Sequence, residues 1–310
     1  MHVLLSRYCA GLTPQLIGLG GKEIVRRAIE AIRRERRTFE TTRKADKGDK
    51  PDFLTSADRE AQTIYVKLIK ECFPHFGIIA EEDELSIPCT IGGVNAYFTV
   101  DPLDGTKAFI RRQSHGIGTM LSLVVDDEIV AAFVGDVMTG EIYYYRPDSD
   151  KVHRLFGFNE AEQLVIDEEL LLAEQYLLLR DLPDRCGPIV QDMCKQSRNL
   201  RSNGLFKDVE VSGGSIGISF ARMWKGEVGG VVLGPTSETP WDACPIWGIS
   251  EKLGFVFIEL AKPLETFVPK PISRVTKRTS ELLVIHGSRV PEWRSWWKIT
   301  GGKVDPDPMD

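Results

Sequence analysis

Two kinds of hydrophobic spacing alternate along this chain. From about Lys22, the residues Val25, Ala28, Ile29 and Ile32 recur at i, i+3, i+4 and i+7, which predicts an amphipathic helix. Its other face carries Arg26, Arg27, Arg33, Arg34 and Arg37 with Glu23, Glu30 and Glu35 interspersed. That mixture reads as a solvated face, with an anionic partner as the alternative. Residues 44–51 combine lysine, aspartate, glycine and proline, and predict a loop. Helical spacing resumes at Ala61, Ile64, Tyr65 and Leu68, which places Asp58 at a helix start as a plain N-cap. Two short apolar runs follow. Residues 76–80 run into the acids Glu81, Glu82, Asp83 and Glu84, and residues 96–100 run into Asp101.

Strand-like runs at 118–125, 129–137 and 141–145, separated by short turns, predict a β-meander that joins the two earlier strands in one sheet. Residues 146–170 are polar and poorly patterned, and mark a lobe boundary. An N-terminal α+β lobe is therefore expected over 22–155 and a C-terminal α/β lobe over 156–295, with tails at 1–21 and 296–310. In the second lobe, a strand at 176–179, a helix from Pro188 and strands at 209–211 and 231–233 are expected. Gly213, Gly214 and Ser215 form a turn into a helix bearing Ile216, Phe220, Met223 and Trp224. Asp242 heads a helix over 243–253 with Pro245 in its first turn, and late strands lie at 255–258 and 282–285.

Composition narrows the class without changing this picture. The 310 residues are 42% hydrophobic and 27% charged, ordinary for a globular chain with a sizeable core. A net charge of −6 argues against a general nucleic-acid binder. Six cysteines without C-x-x-C spacing argue against structural zinc and for a reducing, cytoplasmic setting. No apolar run approaches the ~20 residues that span a bilayer, and the first ten residues do not read as a signal peptide, so no membrane association is expected.

The chemistry concentrates at Asp101-Pro102-Leu103-Asp104-Gly105-Thr106. Carboxylates at the mouth of a strand suit a hard cation with oxygen ligands. Gly-Thr at a helix start offers free N–H groups and a hydroxyl to a phosphate. Metal beside phosphate points to phosphoryl transfer or hydrolysis. Were Glu81, Asp101, Asp104 and Asp242 to converge, their mutual repulsion would call for cations, and the group would make a multi-metal phosphatase site. Pro102 fixes the bend that turns the Leu103 carbonyl inward. The aspartyl-phosphate phosphatases carry D-x-D-G-T; the spacing here is one residue longer, which argues against a covalent aspartyl nucleophile.

These residues resemble the signatures of the inositol monophosphatase family. Asp101 to Thr106 is similar to its D-P-x-D-G-[ST], Trp241-Asp242-Ala243 to its W-D-x-[AG], Ala80-Glu81-Glu82 to its G-E-E, and the stretch from Asp52 to Asp58 to its D-x-x-T-x-x-D. The resemblance covers about residues 22–290. It implies a layered αβαβα sandwich of the α+β class and a Mg²⁺-dependent, lithium-sensitive phosphomonoesterase that uses two to three ions. It implies as metal ligands Glu81, Asp101, the Leu103 carbonyl, Asp104 and Asp242. Gly105 and Thr106 would hold phosphate. Thr106 with Asp58 would orient the attacking water, Glu81 would share in activating it, and Lys47 would sit in a mobile loop over a third metal. Gly214, Ser215 and Glu238 are the expected substrate-facing residues. The expected substrate is a small phosphate monoester, either an inositol monophosphate or a 3′(2′),5′-bisphosphate nucleotide. Lys107 and residues 234–238 lean toward the nucleotide branch. Fructose-1,6-bisphosphatase or histidinol-phosphatase activity, or action mainly through a binding partner, are the alternatives. Relatives are often homodimers, and no feature of this chain bears on that.

Overall fold

The computed structural model describes residues 12–43, 53–157, 161–197 and 204–300. Lys47 and Asp52 lie outside them. The first described helix, α1 (Pro14–Glu35), starts well before Lys22. Thr13 caps it by accepting from the Leu16 N–H, and Pro14 supplies a fixed φ at N1. Gly18, Gly20 and Gly21 break up its hydrophobic pattern in sequence, but Gly21 is needed there: a Cβ would lie 2.2 Å from the Phe133 ring. The strand pair β1 (Thr41–Arg43) and β2 (Phe53–Thr55) leads into α2 (Ser56–Cys72). Then come β3 (Gly77–Ala80), β4 (Ser86–Ile87), β5 (Ala96–Asp104) and the short α3 (Thr106–Ile110). The meander follows as β6 (Gly118–Val125), β7 (Glu128–Asp136) and β8 (Glu141–Tyr145), extended by β9 (His153–Phe156) and β10 (Glu162–Gln163). These strands form an eight-stranded sheet in the order β10-β9-β8-β7-β6-β5-β3-β4. It continues past the boundary expected at residue 155, because Arg154 pairs in register with both Tyr143 and Glu162.

The second half contains β11 (Tyr176–Leu179), α4 (Pro188–Ser197), β12 (Asp208–Val211), α5 (Ile216–Trp224), β13 (Gly230–Leu233) and β14 (Thr236–Glu238). It ends with α6 (Pro240–Lys252), β15 (Phe255–Glu259), β16 (Thr276–Arg278), β17 (Leu282–His286) and α7 (Val290–Thr300). A five-stranded sheet runs β12-β11-β13-β17-β15, and β14 pairs with β16. Two expectations need correction. The helix bearing Asp242 begins at Pro240, so Pro245 is inside it and cannot donate to the Trp241 carbonyl. The stretch expected as a tail from residue 296 belongs to α7, whose Trp293 and Trp296 stack at 5.4 Å and are buried.

Alternation along the strands sorts the core into layers. One face of the large sheet, through Phe98, Leu121, Phe133 and Tyr144, packs on Ile24, Ala28, Tyr65 and Ile69 of α1 and α2. The other face, through Met120, Val134, Tyr143 and Tyr145, meets Phe220 and Ile246 of α5 and α6, which in turn cover Leu178, Val231 and Val284. The far face of the small sheet, through Leu177, Leu179 and Ile285, packs on Met193 of α4 and Trp293 of α7. Helices, sheet, helices, sheet, helices is the αβαβα sandwich. With both faces covered, the strands read as near-continuous apolar runs. Each large side chain buried this way contributes roughly 1.5–3 kcal/mol.

Candidate active site

The strands β3 and β5 run parallel with Ala80 opposite Val100, so Glu81 and Asp101 leave the same sheet edge side by side. The Glu81 N–H donates to the Val100 carbonyl at 3.2 Å. Between Asp101 and Asp104 the pairing of β5 with β6 slips, so that Pro102 and Leu103 both stand opposite Thr119. This irregularity turns the strand end: the Leu103 N–H donates to Asp101 Oδ1 at 3.0 Å. The Leu103 carbonyl accepts from Thr106 Oγ1 at 3.1 Å. Thr119 Oγ1, itself bonded to the Tyr65 hydroxyl, donates to the Asp101 carbonyl at 3.2 Å and holds the strand end in place.

Two further carboxylates come from helix starts. Asp58 is at N3 of α2, not at its N-cap. Thr55 is the cap, and both its N–H and its hydroxyl donate to Asp58 Oδ2, at 2.7 and 2.5 Å. Asp58 Oδ1 faces the Thr106 hydroxyl at 3.2 Å, so one carboxylate closes the helix and reaches the corner. Asp242 is likewise at N3 of α6: Thr239 Oγ1 donates to Asp242 Oδ2 at 2.7 Å and accepts from the Asp242 N–H at 3.3 Å.

The fold thus brings Asp101 and Asp104 from one sheet together with Asp242 from the other half. One oxygen from each lies within 4.8 Å of the others, and no basic side chain forms an ion pair with Asp101 or Asp104 among the described residues. Burial, then the charges of Glu81, Asp104 and Asp242, hold the Asp101 carboxyl well above the usual range. Asp104 is pushed up to about 6 by burial and by Asp242, against the opposing pull of Ser215, Arg180 and the Gly217 N–H. Two buried acids and a half-buried third, gathered in one place, are the donor set a hard divalent cation fits.

Beside the trio lies a cavity of about 500 Å³, walled by Asp104, Asp242, Arg180, Glu238, Arg278 and Trp247 among others. Glu238 is on that wall as expected, paired with Arg278 at 2.7 Å. Gly214 and Ser215 are turned away from it. Ser215 is fully buried; its hydroxyl donates to Asp104 Oδ2 and accepts from the Ile218 N–H at 3.0 Å, capping α5. Gly214 has φ +88°, and a Cβ there would stand 2.6 Å from the Gly116 carbonyl. Gly105, at φ +89°, is as tightly placed, 2.4 Å from the same carbonyl.

Sequence reasoning missed Arg180, Ser219 and Thr239. Thr239 left a signal, since a threonine three residues before a helical acid is half of a capping box. Arg180 and Ser219 left none, because each matters only through contacts made across the fold. Four arginines in and just after α1 are already engaged. Arg26 and Arg27 pair with Glu23, Arg33 donates to the Val137 and Met138 carbonyls, and Arg36 to those of Arg112 and Gln113.

The sequence profile of the inositol monophosphatase family matches residues 20–286. The chain belongs to the inositol monophosphatase family. This is a family of metal-dependent phosphoric monoester hydrolases. Among its relatives, the Nus factor SuhB of Vibrio cholerae is 35% identical over 94 residues, 30% of this chain and 33% of that protein. The inositol-1-monophosphatase of Bacillus subtilis is 27% identical over 98 residues, 32% of this chain and 36% of that protein. The matched stretches therefore span about a third of the length of these curated relatives. The solved IMPase/NADP phosphatase complexed with NADP and Ca²⁺ superimposes with a TM-score of 0.69 at 16% identity, over 94% of this chain and 98% of that one. That likeness shows a shared fold. No helix among the described residues is long and apolar enough to cross a membrane.

Proposed function

We propose that this chain is a Mg²⁺-dependent phosphomonoesterase acting on a small phosphorylated metabolite. The observation that carries the reading is the trio of buried Asp101 and Asp104 with half-buried Asp242, drawn from both halves of the fold and opening onto a cavity. The trio, with Glu81 and the Leu103 carbonyl beside it, would hold two to three Mg²⁺ ions. Ions bound there supply Lewis-acid stabilisation of the phosphoryl oxygens and lower the pKa of water. The chain's own residues do the rest. Thr106 Oγ1 lies between the Asp58 carboxylate and the Leu103 carbonyl, so it gives its proton to one of them and keeps a lone pair for a water molecule. Asp58 Oδ1 is placed to take that water's proton through Thr106. The left-handed Gly105 lets this corner close against the Gly116 carbonyl, where a Cβ would stand 2.4 Å away, and so sets the position of Thr106.

The cavity wall bears on the substrate. Arg185 already pairs with Asp181 at 3.3 Å and Arg278 with Glu238. Paired charges of both signs present donors and acceptors to hydroxyls better than they neutralise a second phosphate. That favours an inositol or sugar monophosphate over a bisphosphate nucleotide. Phosphate release is measured across inositol, sugar, nucleotide and histidinol phosphates, with and without Mg²⁺. Release that requires Mg²⁺, is lost in Asp104→Asn and is fastest on a polyol monophosphate is the expected result. No release from any of them by Mg²⁺-loaded protein sinks the reading.

A second reading draws on the relatives named Nus factor SuhB: action mainly through a partner. An Asp104→Asn chain that kept its full cellular role would favour it.

A further inference from the structure

Arg180 follows β11 and lines the cavity half-buried, with no carboxylate in ion-pair distance among the described residues. Burial pulls its pKa down, yet a guanidinium stays charged at any ordinary pH. Enclosing such a group is costly unless its donors are used. They converge on one short turn. Nη2 donates to the Gly214 carbonyl at 2.7 Å, and Nη1 donates to the Ser215 carbonyl at 3.0 Å and to Ser219 Oγ at 2.7 Å.

That turn presents two donors to a single oxygen. The Ser215 hydroxyl and the Gly217 N–H, the latter at 2.8 Å, both donate to Asp104 Oδ2. With Oδ2 held, the other oxygen of Asp104 is the one free to turn toward Asp101 and Asp242. The turn is not self-supporting: Gly214 is in the left-handed region, and the Ser215 N–H leans on the Gly116 carbonyl at 2.8 Å. Its carbonyl side leans on Arg180.

We propose that Arg180 is a positioning residue: it clamps the Gly214–Ser215 turn and thereby sets the orientation of Asp104 for metal binding. The proposal rests on the metal-dependent reading above and adds to it a residue whose guanidinium donors go to the turn and Ser219 and not to an acid. Loss of a direct hydrogen-bond partner of a metal ligand typically costs about 10–100-fold in metal affinity, and Arg180 acts one contact further out, through Ser215, so its effect belongs at the low end.

The test is calorimetric titration of the metal-stripped full chain with Mg²⁺, alongside its thermal melt. Arg180→Met and Arg180→Lys are expected to weaken Mg²⁺ binding about 10-fold. Activity in Arg180→Lys returns toward wild type as Mg²⁺ is raised, with the KM for substrate little changed. Lysine keeps the charge but not the planar fork, so it carries the test if methionine disturbs folding. Adding Ser215→Ala to Arg180→Lys costs much less than the two single effects combined, because both act through one turn. Arg222→Met lies on the same helix, where Arg222 bonds Glu210 and Glu227, and leaves Mg²⁺ affinity unchanged. Wild-type Mg²⁺ affinity in folded Arg180→Lys, additive losses, or an equal loss in Arg222→Met overturns the proposal alone. A wild-type chain that takes up no Mg²⁺ overturns both it and the function it rests on.

Discussion

Asp101 and Asp104 end a central strand, whereas Asp58 and Asp242 each stand at N3 of a helix, three residues after a threonine. The strand pair is buried, is held by donors that come from turns, and is raised in pKa by its surroundings. The helix-start pair closes helices through Thr55 and Thr239, work that any globular protein needs. The difference separates two ways of placing an acid in a site. A strand-end carboxylate facing its own kind destabilises the metal-free fold. A helix-start carboxylate contributes to stability and reaches the site at no added cost. Substitutions at the two kinds of position should therefore part company in stability even where they agree in rate.

The sharpest contrast is expected at Asp101. Asp101→Asn lowers Mg²⁺-dependent phosphate release by about 10²–10³-fold, in the range seen for loss of a preorganised electrostatic group. Its metal-free melting temperature stays equal to or above that of wild type; a clear drop would break the comparison. Asp58→Ala comes next, with about 10²-fold in rate for a lost proton acceptor and about 1–2 kcal/mol in stability for the lost capping box. A urea melt unchanged from wild type would show that the box carries no weight.

The pH dependence tests the strand pair further. Asp104 is pushed up to about 6 in the folded chain from an ordinary 3.8. A raised carboxyl stabilises the fold in its protonated form, below 3.8, and that contribution is lost as pH rises through about 6. Metal-free Asp104→Asn should accordingly match wild type in stability near pH 4 and exceed it above pH 6, by about 1–3 kcal/mol. Mg²⁺ at 100 times its Kd should return about 2.7 kcal/mol to wild type at pH 7 and far less to the variant. Melts at both pH values, with and without Mg²⁺, decide it. The smallest effect is expected at Thr239→Ala: about 0.5–2 kcal/mol of stability, with Mg²⁺ affinity lowered about 10-fold, the low end for a lost partner of a metal ligand.

The acids were legible in the sequence because each marks the end of a local pattern. Asp101 and Glu81 end apolar runs, and Asp58 and Asp242 begin helical ones, so chain order marked their positions, while the catalytic roles expected of Asp58 and Glu81 came only with the family resemblance. The layers were legible for the same reason, since apolar strands and amphipathic helices alternate. What escaped had no local sign. The start of α1 is diluted by Gly18, Gly20 and Gly21, glycines that make sense only against neighbours such as Phe133. The last helix hid its Trp293 and Trp296 in a stretch of mixed charge near the end of the chain. Arg180 sits far in sequence from Asp104, and only the closing of the small sheet on α5 gives it its acceptors. Ser215 was visible as part of a turn, but whether its hydroxyl faced inward or outward depended on that same closing.

The seam where Gly105 and Gly214 close on the Gly116 carbonyl has a consequence for genetics. Gly116 is itself at φ +71°, so the two halves of the site touch there through main chain alone. A loss-of-function selection on this gene would recover alanine or serine alleles at Gly105 and Gly214 as readily as at Asp101, although neither position carries a side chain. A second-site revertant could not restore them by compensating charge or volume, because what is missing is room between two backbones.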